Sequence, residues 1–143
     1  EKRLIDCLVT LAAEGSVQSA HDISDGGLAV TLAESSFASS VVGASAVADC
    51  ALSAHVKLEE EGPAEAAAFG ERGARAVVSV TPSKLAAVLD TARQYKVAAH
   101  QIGQVTGGDA FRIEYKGRVV IDSFLETLRD AWAHSLGRTL VGK

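Results

Sequence analysis

The sequence predicts one layered α/β (α+β) domain with a mixed, mostly antiparallel sheet of about four to six strands. Helical and strand patterns alternate along the chain, and a tight Lys116-Gly117 connection joins the last two strands into a hairpin before a final helix. This hairpin argues against a purely parallel, doubly wound sheet. The 143 residues, with 48% hydrophobic and 22% charged side chains, suit one globular domain with a real core. We therefore expect residues 1–143 to form a single domain.

The first half alternates helix and strand around a glycine-rich loop. Apolar residues spaced i, i+3, i+4 and i+7 predict a first helix over residues 2–14, which Gly15 is well placed to end. These residues are Leu4, Cys7, Leu8 and Leu11. Cys7 lies on this apolar face and is interpreted as a core thiol. The further predictions are a strand over 17–21, a helix over 28–38, a strand over 41–48 and a short helix over 64–69, with 50–67 otherwise ambiguous around a Glu-rich turn.

The second half has clearer signals. Valines predict a strand over 74–81, and Thr81-Pro82 resembles an N-cap followed by Pro at the first position of a helix that runs to about residue 96. A strand over 98–105 and a Gly-Gly-Asp turn follow. Alternating apolar and charged residues over 111–115 predict a half-buried strand, which pairs with 118–121. A capping box at 123–126 opens the last helix. One side of that helix carries Leu125, Leu128, Trp132 and Leu136.

Composition excludes several classes of function. A net charge of −4 disfavours nucleic acid and anionic membranes as partners. No apolar run reaches the roughly 18–20 residues that a membrane helix needs, and no signal peptide is visible. Cys7 and Cys50 lack CxxC spacing, which fits a reducing compartment better than a disulfide framework. The sequence contains no Met, even at position 1, so we expect a piece of a longer chain.

The strongest local signal for chemistry is the segment Ser19-Ala-His-Asp-Ile-Ser-Asp-Gly-Gly-Leu28, which joins a predicted strand to a predicted helix. Adjacent glycines let the backbone approach a ligand, and free N–H groups at a helix start attract anions such as phosphate. Asp22 and Asp25 would repel bare phosphate unless a divalent cation such as Mg²⁺ bridged them. The pattern thus suggests a metal–phosphate or metal–nucleotide site. The alternative is structural, with Ser24 or Asp25 capping the helix and the glycines forming a tight turn.

The other polar motifs are weaker. Residues 69–75 place a Glu71–Arg72 pair between glycines just before a strand, where Arg could bind phosphate or a surface turn could hold an exposed ion pair. The three remaining histidines have no metal-site spacing. They are interpreted as ordinary surface or core residues: His55, His100 and His134. No Ser–His–Asp or Cys–His nucleophile arrangement is readable, so no catalytic residue is assigned.

Four segments together carry a resemblance to a known family. They are SAHDISDGGLAVTLAE over 19–34, AFGERGARAVVSV over 68–80, KVAAHQIGQVTGG over 96–108 and RVVIDSFLETLRDAWAHSL over 118–136. The sequence closely resembles the C-terminal domain of phosphoribosylformylglycinamidine (formylglycinamidine ribonucleotide) synthases, which belong to the aminoimidazole ribonucleotide synthetase superfamily. The resemblance covers essentially the whole chain and implies the last domain of a longer synthase.

The resemblance implies a cytoplasmic ligase of de novo purine synthesis. That family uses ATP and glutamine-derived ammonia to convert formylglycinamide ribonucleotide to formylglycinamidine ribonucleotide, ADP and phosphate. It implies Mg²⁺ and ATP or ADP as cofactors of the parent enzyme. The implied partners are ATP-binding domains of the same chain and a glutaminase subunit or domain, and the isolated fragment is expected to be inactive.

The family's pattern also suggests the residues of an auxiliary nucleotide site. Asp22 matches the position of a Mg²⁺-linked aspartate. The implied nucleotide- or phosphate-binding residues are Ser24, Asp25, Gly26, Gly27 and Glu71. The earlier homologous domain has a Glu-Ser-Gln substrate contact, of which only Glu71 is kept here, and this departure argues against substrate binding. Two alternatives stay open: a structural half of a pseudo-dimer without its own ligand, and a domain of a sibling such as aminoimidazole ribonucleotide synthetase.

Overall fold

A computed structural model describes residues 1–39 and 51–141 of the protein. Five α-helices occur in these residues, together with a short 3₁₀ turn over Pro82–Lys84. The helices are α1 (Lys2–Ala13), α2 (Gly27–Ser39), α3 (Ala64–Phe69), α4 (Leu85–Gln94) and α5 (Leu125–Val141). The strands are β1 (Ser19–Asp22), β2 (Leu52–Leu58), β3 (Ala76–Ser79), β4 (Gly103–Gly107), β5 (Ala110–Tyr115) and β6 (Arg118–Phe124).

The strands form two separate sheets. Strands β1 and β3 pair antiparallel, with Ser19 opposite Ser79 and Asp22 opposite Ala76. The second sheet has the order β4-β2-β5-β6, in which only the β2–β5 pair is parallel. A mixed, mostly antiparallel arrangement with covering helices is therefore confirmed, although the six described strands divide into two sheets.

The main core lies between one face of the four-stranded sheet and helices α2, α3 and α5. Strands β2 and β5 supply alternate apolar side chains to it, as the two-residue period of a strand requires. The buried members include Leu28, Leu32, Phe37, Ala54, Val56, Leu58, Phe111, Ile113 and Leu125. A smaller core joins α1 to α4 through Cys7, Leu11, Val88 and Ala92. Cys7 is thus a core thiol, as predicted, and burial raises its pKa.

Several predicted boundaries need correction. Strand β2 lies in the region that the sequence left ambiguous, and β4 begins at Gly103 rather than near residue 98. The capping box is wrong in detail, because Ser123 belongs to strand β6 and its hydroxyl donates to the Phe124 carbonyl at 3.4 Å. Pro82 opens a 3₁₀ turn before α4, without a side-chain cap from Thr81. The predicted strand over 41–48 lies outside the described residues.

Within residues 1–39 and 51–141, no helix has both the length and the apolar character needed to cross a bilayer.

Candidate functional site

The glycine-rich motif forms the connection from β1 to α2, as the sequence predicts. The Ile23 N–H donates to the Arg75 carbonyl at 2.9 Å, which extends the β1–β3 pairing by one residue. The Gly27 N–H donates to the Ser24 carbonyl at 3.1 Å, and this bond closes the turn where α2 begins. Ser24 and Asp25 lie exposed on the turn. Their exposure leaves both side chains accessible to a ligand.

Both glycines of the loop are required by the backbone. Gly26 and Gly27 have φ values of +80° and +67°, which lie in a backbone region that residues with a side chain rarely adopt. A Cβ on Gly27 would lie 2.6 Å from the carbonyl carbon of Phe69. A Cβ on Gly26 would lie 2.6 Å from a methyl of Val30. The loop therefore turns tightly and packs its backbone directly against the end of α3.

Glu71 is brought to this loop across 45 residues of sequence. The Gly26 N–H donates to Glu71 Oε1 at 3.0 Å. This N–H group lies at the start of α2, where the helix dipole favours a negative charge. The Glu71 carboxylate thus accepts from one of the backbone N–H groups that are expected, from the sequence, to bind phosphate. Glu71 therefore contacts the backbone of the loop.

Asp22 lies at the end of β1 with a fixed backbone and an exposed carboxylate. Its carbonyl accepts hydrogen bonds from His21 Nδ1 at 2.7 Å and from Thr31 Oγ1 at 3.3 Å. Its side chain is 76% exposed. It borders a hollow of about 240 Å³ that is also lined by Leu8, Ala20, His21 and Ala76. The carboxylate can reach a ligand without leaving its place in the strand.

Few other potential metal ligands lie near Asp22. Among residues 1–39 and 51–141, no group of three or more His, Cys, Asp or Glu side chains is placed to hold a metal ion. Mg²⁺ commonly uses one or two carboxylates and completes its shell with phosphate oxygens and waters. Asp22 therefore fits a metal that arrives with a nucleotide, and it does not form a metal site by itself.

The two arginines of the second motif are engaged within the protein. Arg72 pairs with Glu60 at 2.6 Å rather than with Glu71. Arg75 donates to the carbonyls of Gly70 at 2.6 Å and Arg72 at 3.3 Å. Residues 70–75 therefore form a surface turn that is stabilised by hydrogen bonds within the turn. This turn places Glu71 next to the β1–α2 loop.

Sequence reasoning missed a polar contact beside the loop. Trp132 Nε1 donates to Glu34 Oε1 at 2.9 Å, and Glu34 Oε2 lies 3.7 Å from His21 Nε2. Glu34 is the last residue of the motif over 19–34, and Trp132 belongs to the apolar side predicted for α5. The sequence patterns therefore indicate no partner for either residue. Their separation of 98 residues explains why local patterns gave no signal for the contact.

Two of the three remaining histidines lie next to carboxylates. His55 Nε2 lies 2.9 Å from Glu114 Oε1 on the four-stranded sheet. His134 Nδ1 lies 3.0 Å from Asp130 Oδ1 on α5. Each histidine pairs with one carboxylate, and neither belongs to a metal cluster of the described residues.

The fold is that of an α/β domain. Its two-stranded sheet places an aspartate at the end of β1, and a glycine-rich turn follows at the start of α2. The chain belongs to the family described as AIR synthase related protein, C-terminal domain, whose model matches residues 1–116.

Curated relatives resemble the chain over nearly its whole length. It is 34% identical over 142 residues to the phosphoribosylformylglycinamidine synthase subunit PurL of Chlorobaculum tepidum, a match that covers 98% of this chain and 18% of the relative. It is 37% identical over 132 residues to the subunit of the same name from Thermoanaerobacter sp., covering 92% of this chain and 16% of the relative. The chain thus spans less than a fifth of these relatives.

Solved structures support the fold. A structure of Thermotoga maritima PurL complexed with FGAR superposes with a TM-score of 0.74 at 23% identity, covering 89% of this chain and 20% of the other. T. maritima PurL complexed with ADP gives a TM-score of 0.73 at 22% identity, with 89% and 21% covered. At these identities the likeness shows the fold. The α/β domain fold that the resemblance implied is confirmed.

Proposed function

We propose that the chain is the C-terminal domain of an ATP-dependent ligase that makes formylglycinamidine ribonucleotide. The enzyme would join ammonia from glutamine to formylglycinamide ribonucleotide and release ADP and phosphate. The observation that carries this proposal is the 34% identity, over 98% of the chain, to a phosphoribosylformylglycinamidine synthase subunit. The parent enzyme would act in the cytoplasm, as expected for purine synthesis. This domain would contribute no catalytic residue of its own.

Within that enzyme, we assign the β1–α2 loop to an auxiliary nucleotide site. The exposed Asp22 carboxylate would hold Mg²⁺ together with phosphate oxygens and waters, and Mg²⁺ would neutralise phosphate charge. Ser24 and Asp25 line the approach, while Gly26 and Gly27 bring the backbone close. Glu71 would keep the turn in shape through the Gly26 N–H. Matched PurL structures complexed with ATP and ADP support a nucleotide as the ligand.

A second candidate is a structural half of a pseudo-dimer without its own ligand. Two observations favour it. Glu71 already accepts the hydrogen bond of the Gly26 N–H, and the described residues place no group of three or more potential metal ligands at this loop. In this case the loop would serve to close the fold around α2 and α3.

We further propose partners for the parent enzyme. ATP-binding domains of the same chain would supply the catalytic groups, and a glutaminase subunit or domain would supply ammonia. The similarity to a structure of PurLQS from T. maritima supports an assembly of this kind.

The proposed reaction is tested with the full-length protein that contains this chain. ADP release is measured with Mg-ATP, formylglycinamide ribonucleotide and ammonia. We expect release that depends on formylglycinamide ribonucleotide. Release with formylglycinamidine ribonucleotide alone would instead indicate aminoimidazole ribonucleotide synthetase, and release with neither substrate would reject both ligases.

The two roles of the loop are separated by Asp22→Asn in the same protein. The auxiliary site predicts that the variant retains much less ADP and Mg²⁺ after purification than the parent. The structural candidate predicts unchanged nucleotide content. Asp109→Asn provides the matched control, because Asp109 is an exposed aspartate in the turn before β5. A loss that also occurs with Asp109→Asn would come from general charge removal.

A further inference from the structure

Helix α1 is apolar over more of its circumference than its contact with α4 uses. At 3.6 residues per turn, its apolar side chains span an arc of about 200°, whereas a helix with one buried face has an apolar stripe about 100° wide. One half of this arc carries Cys7 and Leu11, which are buried against Val88 and Ala92 of α4. The smaller core therefore accounts for only half of the apolar surface of α1.

The other half of the arc lies on the side of α1 away from α4. It carries Ile5, Val9 and Ala12, whose spacings of four and three residues place them on one face of the helix. Ile5 is 52% exposed, Val9 is 62% exposed, and Ala12 is exposed as well. Single exposed apolar residues are ordinary on a protein surface, but three on one helix face form a patch. We call this patch the outer face of α1.

The outer face continues onto the two-stranded sheet. Leu8 lies between the two halves of the arc and lines the hollow of about 240 Å³, together with residues of β1 and β3 that include Ala20 and Ala76. The opposite border of the face carries the Lys2–Asp6 ion pair, whose Nζ and Oδ2 atoms lie 2.8 Å apart. An apolar patch with a polar rim is the pattern of a protein–protein contact. Because the ion pair balances its own charges, the face favours an apolar partner surface.

The size of the patch indicates what kind of partner it fits. Helix α1 has 12 residues and is about 18 Å long, and the two four-residue strands add a surface about 13 Å long, so the patch measures on the order of 300 Å². A stable contact between separate proteins buries about 800 Å² on each partner. A smaller patch is sufficient where a covalent connection keeps the partner close, because the connection raises the effective concentration.

We propose that the outer face of α1 docks against an apolar surface of another domain of the same polypeptide. The match to the PurL subunit of C. tepidum covers 98% of this chain and only 18% of that relative, so a parent of similar length has other domains available. The inference rests on the proposed function only in that this chain belongs to a longer protein. Ile5 and Val9 are the central contacts, because they are the largest exposed side chains of the face.

The first test measures how fast a maleimide reacts with single new cysteines in the full-length protein that contains this chain. Ile5→Cys and Val9→Cys place a thiol on the outer face. Arg3→Cys is the matched control, because Arg3 is exposed on the polar side of the same helix. Tandem mass spectrometry locates the label and separates it from the buried Cys7.

A docked thiol reacts only when the contact opens. We therefore expect Ile5→Cys and Val9→Cys to react roughly 10-fold more slowly than Arg3→Cys in the native protein, and at similar rates in denaturant. Equal rates at the three positions in the native protein would overturn the proposal.

A second variant tests the effect on the partner surface. Val9→Glu places a charge in the contact, so hydrogen exchange should rise roughly 3- to 10-fold in a segment outside residues 1–143. Exchange in β5 should stay unchanged, which shows that this domain remains folded. Arg3→Glu is the control, because it places a carboxylate on the polar side of α1. Unchanged exchange outside residues 1–143 in the folded Val9→Glu protein would reject the contact.

Two other occupants of the face give different results in the labelling experiment. If the protection of Ile5→Cys is lost on dilution, the partner is a second copy of the chain. If the protection develops only when separate subunits are added, the partner is another subunit. Either result overturns a contact within the same polypeptide.

ADP release separates this inference from the proposed function. If the full-length protein shows no release that depends on formylglycinamide ribonucleotide while Ile5→Cys and Val9→Cys are protected, the reaction is rejected and the contact stands. If release occurs and both cysteines react as fast as Arg3→Cys, the contact is rejected and the reaction stands.

Discussion

The two sheets of this domain differ in how they are held. In the four-stranded sheet, Phe111 and Ile113 of β5 are 1% and 0% exposed and lie against three helices. In the two-stranded sheet, every residue of β1 and β3 is partly or fully exposed. The larger sheet is therefore stabilised by full apolar burial, whereas the smaller one has only partly buried apolar contacts, such as that of Val77, and depends more on strand pairing.

This difference has a consequence for the candidate site. The β1–α2 loop is attached to the less buried sheet and is held by the Gly26–Glu71 hydrogen bond. Net hydrogen-bond contributions are smaller than those of a buried aromatic side chain. Substitutions in the large sheet should therefore unfold the domain, while substitutions around the loop should change the loop more than global stability.

The largest effect is expected from Phe111→Ala. Removal of a fully buried ring from the centre of the large sheet leaves a cavity and should lower the free energy of unfolding by about 3–5 kcal/mol. Denaturant unfolding monitored by circular dichroism measures the change. Val119→Ala on the neighbouring strand is the control, because Val119 is exposed. Equal losses for the two variants would contradict the assignment of the core to β5.

The next effect is expected from Gly27→Ala at the start of α2. The new Cβ would meet the Phe69 backbone at 2.6 Å, and the φ of +67° disfavours alanine. The free energy of unfolding should fall by about 1–3 kcal/mol. Gly73→Ala is the matched control, because a Cβ there meets no atom within 4 Å. A neutral Gly27→Ala would show that the loop and α3 are not in close contact.

Local patterns predicted most helices and the closing hairpin because each has a strong signal of its own. Strand β2 was missed for a physical reason. Its core-facing residues Ala54, Val56 and Leu58 alternate with Ser53, His55 and Lys57. The period of two was present, but the small and charged residues on the other face weakened it.

The candidate site was predictable in part. The Asp-Ile-Ser-Asp-Gly-Gly order located the turn, since positive φ values require glycine there. The Glu71 and Trp132 contacts depend on strand register and on the packing of α5, neither of which is encoded locally. A sequence therefore indicates that such a loop exists more readily than it indicates what holds the loop in place.

A smaller global effect is expected from Glu71→Ala. Loss of the acceptor for the Gly26 N–H should lower the free energy of unfolding by about 0.5–1.5 kcal/mol. Hydrogen exchange at Gly26 should rise clearly, and Glu71→Gln, which retains an acceptor, should preserve most of the protection. The exposed Glu59→Ala serves as the control. Unchanged exchange at Gly26 in Glu71→Ala would show that the carboxylate does not hold the loop.

The smallest effect is expected from a pH-dependent contact on the large sheet. The hydrogen bond with His55, reinforced by nearby Lys57, holds the pKa of Glu114 below its ordinary value. A carboxyl whose pKa is lowered in the folded state stabilises the protein above its unfolded-state pKa, about 4.3, and this stabilisation is lost as the pH falls through the folded-state pKa. The difference in free energy of unfolding between the parent and Glu114→Gln should therefore shrink as the pH is lowered below that value.

Chemical denaturation at a series of pH values between neutrality and about pH 3 measures this difference, with Glu61→Gln as the control on a carboxylate that is almost fully exposed. A difference that stayed constant over this range would mean that the charge of Glu114 is irrelevant. A difference that grew on acidification would mean that the carboxylate is destabilised in the fold. The expected decrease would instead show that even the well-buried sheet is stabilised by a charged carboxylate on its polar face, where β2 and β5 run parallel. The contrast between the two sheets would then be one of proportion, because polar contacts stabilise both, and apolar burial dominates only in the larger.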